Sequence, residues 1–115
     1  MDTRERLRDR RRIHQKALKD EMGRLTKAAI EIGVKRIVLF GSAVKGHTGL
    51  TSDLDFLVVW DTPLDYMERT TELYRLLKPR VPCDILAYTP KEMEWMIHNS
   101  LVKQALKEGR VLYEA

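Results

Sequence analysis

Disulfides are the first thing this sequence lacks. Its one cysteine, Cys83, excludes an internal bridge and points to a reducing compartment. With three scattered histidines beside that cysteine, a structural zinc site has no ligand set. No apolar run approaches the roughly 20 residues a membrane span needs. The Arg-rich start has no apolar segment of the kind a signal peptide carries, so the expected location is cytoplasmic. Repeats, low-complexity tracts and internal linkers are also missing.

What remains suits one globular domain: 115 residues, 43% hydrophobic and 33% charged. The net charge of +4 is uneven. Residues 1–20 hold eight Lys/Arg against four Asp/Glu, and the other 95 residues hold 13 of each sign. The basic excess belongs to an N-terminal arm.

Residues 3 to about 32 read as one helix stopped by Gly33. A stripe of Leu18, Met22, Leu25, Ala29 and Ile32 would pack on the domain. The first half has only Leu7 and Ile13 as sizeable apolar residues and is expected to project or fray. Arg4, Arg8, Arg11 and Arg12 there suit a nucleic-acid backbone or an acidic partner, or are simply solvated.

Val34–Phe40 reads as a strand. Gly41-Ser42 turns the chain, and Ser42 is expected to cap a short helical segment, Ala43–Lys45, that Gly46 ends. After a loop, Asp53–Trp60 is a second strand. Thr62 as N-cap and Pro63 at the first helical position predict a helix to about Lys78, with Leu64, Met67, Leu73, Leu76 and Leu77 inward. Val81–Tyr88 is the third strand. A strand–helix–strand connection of this length implies a parallel pair, so both strands begin on one sheet edge. Period 2 then puts Pro82, Asp84 and Leu86 on one face and Cys83 and Ile85 on the other. Asp84 can therefore stand beside Asp53 and Asp55. Thr89-Pro90-Lys91-Glu92 is a capping box for a helix carrying Met93, Trp95, Met96 and Ile97. Asn99-Ser100 recaps a last helix, Leu101–Lys107, before Gly109, and Val111–Tyr113 suggests a short strand.

Three carboxylates converging on an apolar strand mouth repel one another unless a cation neutralises them. Asp53, Asp55 and Asp84 can hold two Mg²⁺, a hard cation that prefers carboxylate and phosphate oxygens. Asp84 can also serve as general base. Unpaired backbone N–H groups after the Gly-Ser turn favour a phosphate. Gly41 allows close approach, Ser42 adds a hydroxyl and Lys45 a positive charge.

Phe40-Gly41-Ser42, Lys45-Gly46, Ser52-Asp53-Leu54-Asp55 and Asp84 together resemble the nucleotidyltransferase superfamily that includes polymerase β. The small size and the G-R-V-L-Y-E ending are similar to its minimal nucleotidyltransferase (MNT) proteins. The resemblance implies an α/β (α+β) domain with a small mixed sheet, flanking helices and a long N-terminal helix. It implies a nucleotide site at Gly41, Ser42, Lys45, Gly46 and Ser52, a metal site at Asp53, Asp55 and Asp84, and ATP as substrate with Mg²⁺. The implied reaction transfers AMP to a hydroxyl, with a tyrosine of a HEPN-domain toxin as acceptor and this chain as antitoxin, in a hetero-oligomer or homo-oligomer. The family often has Ala-Arg before its second glycine, where this chain has Val44-Lys45, a point charge in place of a fork. A chain this short is expected to meet its acceptor on its surface or on a partner. Alternatives are a module that masks its partner without catalysis, an RNA or small-molecule acceptor, and nucleic-acid contact through the arm.

Other residues are weaker candidates. Cys83 faces away from the carboxylates as a core thiol, His47 is a loop histidine, and Trp95 and Met96 read as core or a partner contact. Nothing in the sequence selects Tyr66, Tyr74, Tyr88 or Tyr113 as a modification site.

Overall fold

The computed structural model describes residues 2–45 and 54–115. Helix α1 spans Thr3–Ile32, capped by the Asp2 carboxylate, which accepts from Glu5 N–H. It stops at Gly33, whose φ of 102° is left-handed. Strand β1 (Arg36–Phe40) runs into a 3₁₀ turn, Gly41–Ala43. Strand β2 (Leu54–Val59), helix α2 (Tyr66–Leu77), strand β3 (Cys83–Tyr88), helices α3 (Pro90–Met96) and α4 (Ser100–Glu108), and strand β4 (Arg110–Glu114) follow.

The sheet order is β3-β2-β1-β4, with β2 and β3 parallel and β1 antiparallel to β2 and β4. The expected mixed sheet, parallel pair and long N-terminal helix are all present. Each sheet face is covered. On one side Leu18, Leu25 and Ala29 of α1 and Leu73 and Leu77 of α2 meet Ile37, Phe56, Val58 and Ile85. On the other, Val102 of α4 and Met93 and Met96 of α3 meet Val38, Leu57 and Leu86. Burying a Leu or Phe in this way is worth about 1.5–3 kcal/mol each. No helix among the described residues is long and apolar enough to cross a membrane.

Four local expectations need correction. Helix α2 starts at Tyr66, not Pro63, because Asp65 and Glu68 form a full capping box, while Thr62 Oγ1 only accepts from Leu64 N–H in a turn. Its buried row is Arg69, Leu73 and Leu77; Met67 is 74% exposed and Leu76 also faces out. Trp95 is not core but 54% exposed. Ser42 is not the cap of a helix among the described residues: it lies inside the 3₁₀ turn, whose cap position is Phe40 and has no side-chain bond.

Two buried charges hold the layers together. The Arg69 guanidinium donates to Leu64 O, Ala87 O and the Glu92 carboxylate, tying the start of α2 to the end of β3 and the start of α3. Glu21 of α1 accepts from Arg24 and from Arg80 N–H, and Arg24 reaches on to Leu77 O and Lys78 O past the end of α2. Tyr74 of α2 donates to Cys83 O and accepts from Ile85 N–H, which closes the outer edge of β3.

Candidate active site

The last residue of β1, Phe40, pairs with Asp55, and Asp55 pairs with Asp84 across the parallel strands. Three chain segments therefore meet at one sheet edge, and neighbouring strands there lie about 5 Å apart. Asp55 and Asp84 project from the same sheet face as Leu57 and Leu86, the face that α3 and α4 cover. Asp55 is half-buried and Asp84 is exposed. Cys83 points to the opposite face, packed against the other core, as its period-2 position requires.

Gly41 follows directly, at φ 78°. A Cβ there would lie 2.3 Å from Asp55 Oδ2 and 3.2 Å from its Cγ. The absent side chain is the space the Asp55 carboxylate occupies. Two carboxylates side by side, one seated against bare backbone, fit a hard divalent cation. Asp53 lies outside the described residues, as do Gly46, His47 and Ser52. Among the described residues no third metal-ligating side chain joins Asp55 and Asp84.

A cleft of about 170 Å³ opens between the turn and α4, lined by Phe40, Gly41, Lys45, Leu101, Gln104, Ala105 and Glu108. Lys45 Nζ stands 3.3 Å from Glu108 Oε2, which also accepts from Gln104 Nε2 at 3.3 Å. The Lys45 ammonium, then Gln104, hold the Glu108 carboxyl below its ordinary range. Sequence reasoning missed Glu108 and Gln104. The signal was the second stripe of α4, where Leu101, Gln104 and Glu108 share a face beside the buried row of Val102 and Ala105. Across the sheet, a pocket of about 180 Å³ lies between α1 and the turn, lined by Gln15, Leu18, Lys19, Met22, Val44 and Arg110 among others.

Of the tyrosines, Tyr74 and Tyr88 are raised above their ordinary pKa by burial. Tyr66 and Tyr88 pack ring to ring at 5.7 Å, toward the opposite end of β3 from Asp84.

A model of the nucleotidyltransferase domain matches residues 15–112. The putative protein adenylyltransferase MJ0604 of Methanocaldococcus jannaschii is 35% identical over 100 residues, covering 86% of this chain and 97% of that protein. A solved putative nucleotidyltransferase from Sulfolobus solfataricus superposes with a TM-score of 0.56 at 18% identity, over 92% of this chain and 85% of that one. The toxin–antitoxin MntA–HpeT, in a mutant form, gives 0.53 at 22% identity, over 84% and 72%. At such identities the two structures speak for the fold.

Proposed function

The chain belongs to the nucleotidyltransferase domain family and is a nucleotidyltransferase, and from that premise we propose that it transfers AMP from ATP to a hydroxyl of a partner protein in a Mg²⁺-dependent reaction. The observation that carries this reading is Asp55 beside Asp84, with Gly41 packed against Asp55. The relative named as a protein adenylyltransferase supports a protein acceptor. The MNT-like motifs of the sequence carry the antitoxin role toward a HEPN-domain toxin with a tyrosine as target, and the fold shared with the toxin–antitoxin MntA–HpeT agrees with an antitoxin role. A cytoplasmic setting follows from the same reading.

Asp53, Asp55 and Asp84 would hold Mg²⁺, which when bound offsets the charge of the phosphates and of the acceptor oxygen. Gly41, Ser42, Lys45, Gly46 and Ser52 receive the triphosphate, and Lys45 exchanges Glu108 for a phosphate oxygen. The acceptor oxygen attacks the α-phosphorus, the bond to the bridging α–β oxygen breaks, and pyrophosphate leaves. Asp84 takes the hydroxyl proton; its exposure leaves it open to a docked acceptor, whereas half-buried Asp55 is fixed by its strand pairings on both sides.

Incubation with the partner and with α-labelled or γ-labelled ATP tests the proposal. Label from the α position alone should reach the protein, and only with Mg²⁺. Transfer from the γ position would mean a kinase, and tight partner binding with no label would mean an antitoxin that acts by masking.

A further inference from the structure

We infer that the N-terminal arm of α1 is a second binding surface, which seats in the major groove of duplex DNA through its phosphate backbones. The first core residue of α1 is Leu18. The preceding stretch, residues 3–17, extends about 22 Å as helix and accounts for the elongated form of the molecule, 54 × 28 × 23 Å. Residues 3–14 also lie outside the span that matches the nucleotidyltransferase domain, residues 15–112.

The arm carries Arg4, Arg6, Arg8, Arg10, Arg11 and Arg12, all exposed. Among the described residues none of the six is in an ion pair. At 100° per residue, Arg4, Arg8, Arg11 and Arg12 line one flank and Arg6 and Arg10 the opposite flank. Between the flanks lie Glu5 and Asp9 on one side and Leu7 on the other, ahead of His14, whose Nε2 is already buried. A helix about 10–12 Å across, with guanidinium groups on two opposed flanks, matches a B-DNA major groove about 12 Å wide with a phosphate wall on each side. The acidic side then faces solvent.

The same composition argues against a protein partner. Protein interfaces have an apolar centre from which charge is depleted. The arm offers only Leu7 and Ile13, 39% and 69% exposed, on different sides of the helix. Using arginine at all six positions also suits phosphate, which its planar fork contacts in bidentate fashion.

Fluorescence anisotropy of the full chain with a mixed-sequence DNA duplex of about 20 base pairs tests this. Six phosphate contacts predict a log–log salt slope of about −5.4 and a loss of about 10³-fold in affinity between about 50 and 200 mM salt. Arg6→Ala with Arg10→Ala should reduce the slope by about 1.8, and Arg4→Ala with Arg8→Ala by the same amount. The Lys versions of each pair should keep the slope. Alanine favours helix and these positions bury nothing, so circular dichroism and the melting temperature should not change. The inference is overturned if either Ala pair leaves the slope unchanged, if single-stranded RNA binds as tightly as the duplex, or if the arm is needed only for an acidic protein partner.

Discussion

A methyl group at position 41 would meet the Asp55 carboxylate at 2.3 Å, on a backbone whose φ of +78° already disfavours any side chain. The conformational cost to alanine is about 1–2 kcal/mol. The contact is worse for function than for stability, because relief requires Asp55 to turn away from its place beside Asp84. Gly41→Ala should therefore lower the melting temperature by only a few degrees, yet cut AMP transfer by about 10²-fold or more, in line with the effect of misplacing a reacting group by about 1 Å. Transfer within tenfold of wild type would show that the carboxylate has room to move without loss. The need for glycine could be read from the motif, but its reason could not: the clash is with a side chain on the neighbouring strand, and only the Phe40–Asp55 register reveals it.

Among the elements, legibility followed the range of the interaction. The capping boxes at Asp65–Glu68 and Thr89–Glu92 are local patterns, yet Thr62-Pro63 obscured the first by offering a plausible helix start three residues too early. Arg69 was missed for a different reason. It occupies the same row as Leu73 and Leu77, and a charge in an apolar row reads as an interruption until its distant acceptors, Ala87 O and Glu92, are known. That pair has a pH signature. The Arg69 guanidinium, with help from the Thr89 N–H, holds the folded Glu92 carboxyl below its ordinary value. The ionised form is thus favoured by folding, so its contribution is present above the unfolded pKa and is lost as pH falls through the folded one. Glu92→Gln leaves the Arg69 charge buried without its counter-ion and should cost about 2–3 kcal/mol at pH 7, below the full penalty for a broken buried pair because two carbonyls still accept from Arg69. Melts at pH 7 and near pH 3 should show the difference from wild type shrinking in acid. A difference that is constant across that range would assign Glu92 to capping alone.

At the scale of the whole molecule, the parallel β2–β3 pair was legible because chain connectivity and helix handedness leave few ways to join strand, helix and strand. That single inference placed Asp84 beside Asp55, and the register agrees. The position of β4 beside β1, and with it the approach of Glu108 to Lys45, depends on contacts between distant segments that no local pattern encodes. The same topology makes the proposed metal site a property of the folded state alone, since Asp55 and Asp84 are brought together only when α2 has carried the chain back across the sheet. Like charges directly opposite on paired strands are destabilising. Replacing one of them should therefore stabilise the protein when divalent ions are chelated, so Asp55→Asn should melt higher than wild type in EDTA. Binding that requires the assembled cluster stabilises it by mass action, about 2.7 kcal/mol at a hundredfold excess over Kd, or roughly 10 °C for a domain of this size. Wild type should show that gain with Mg²⁺ while Asp55→Asn loses most of it together with AMP transfer. If the variant melts below wild type in EDTA and gains as much from Mg²⁺, then Asp55 and Asp84 share a sheet edge but no ion.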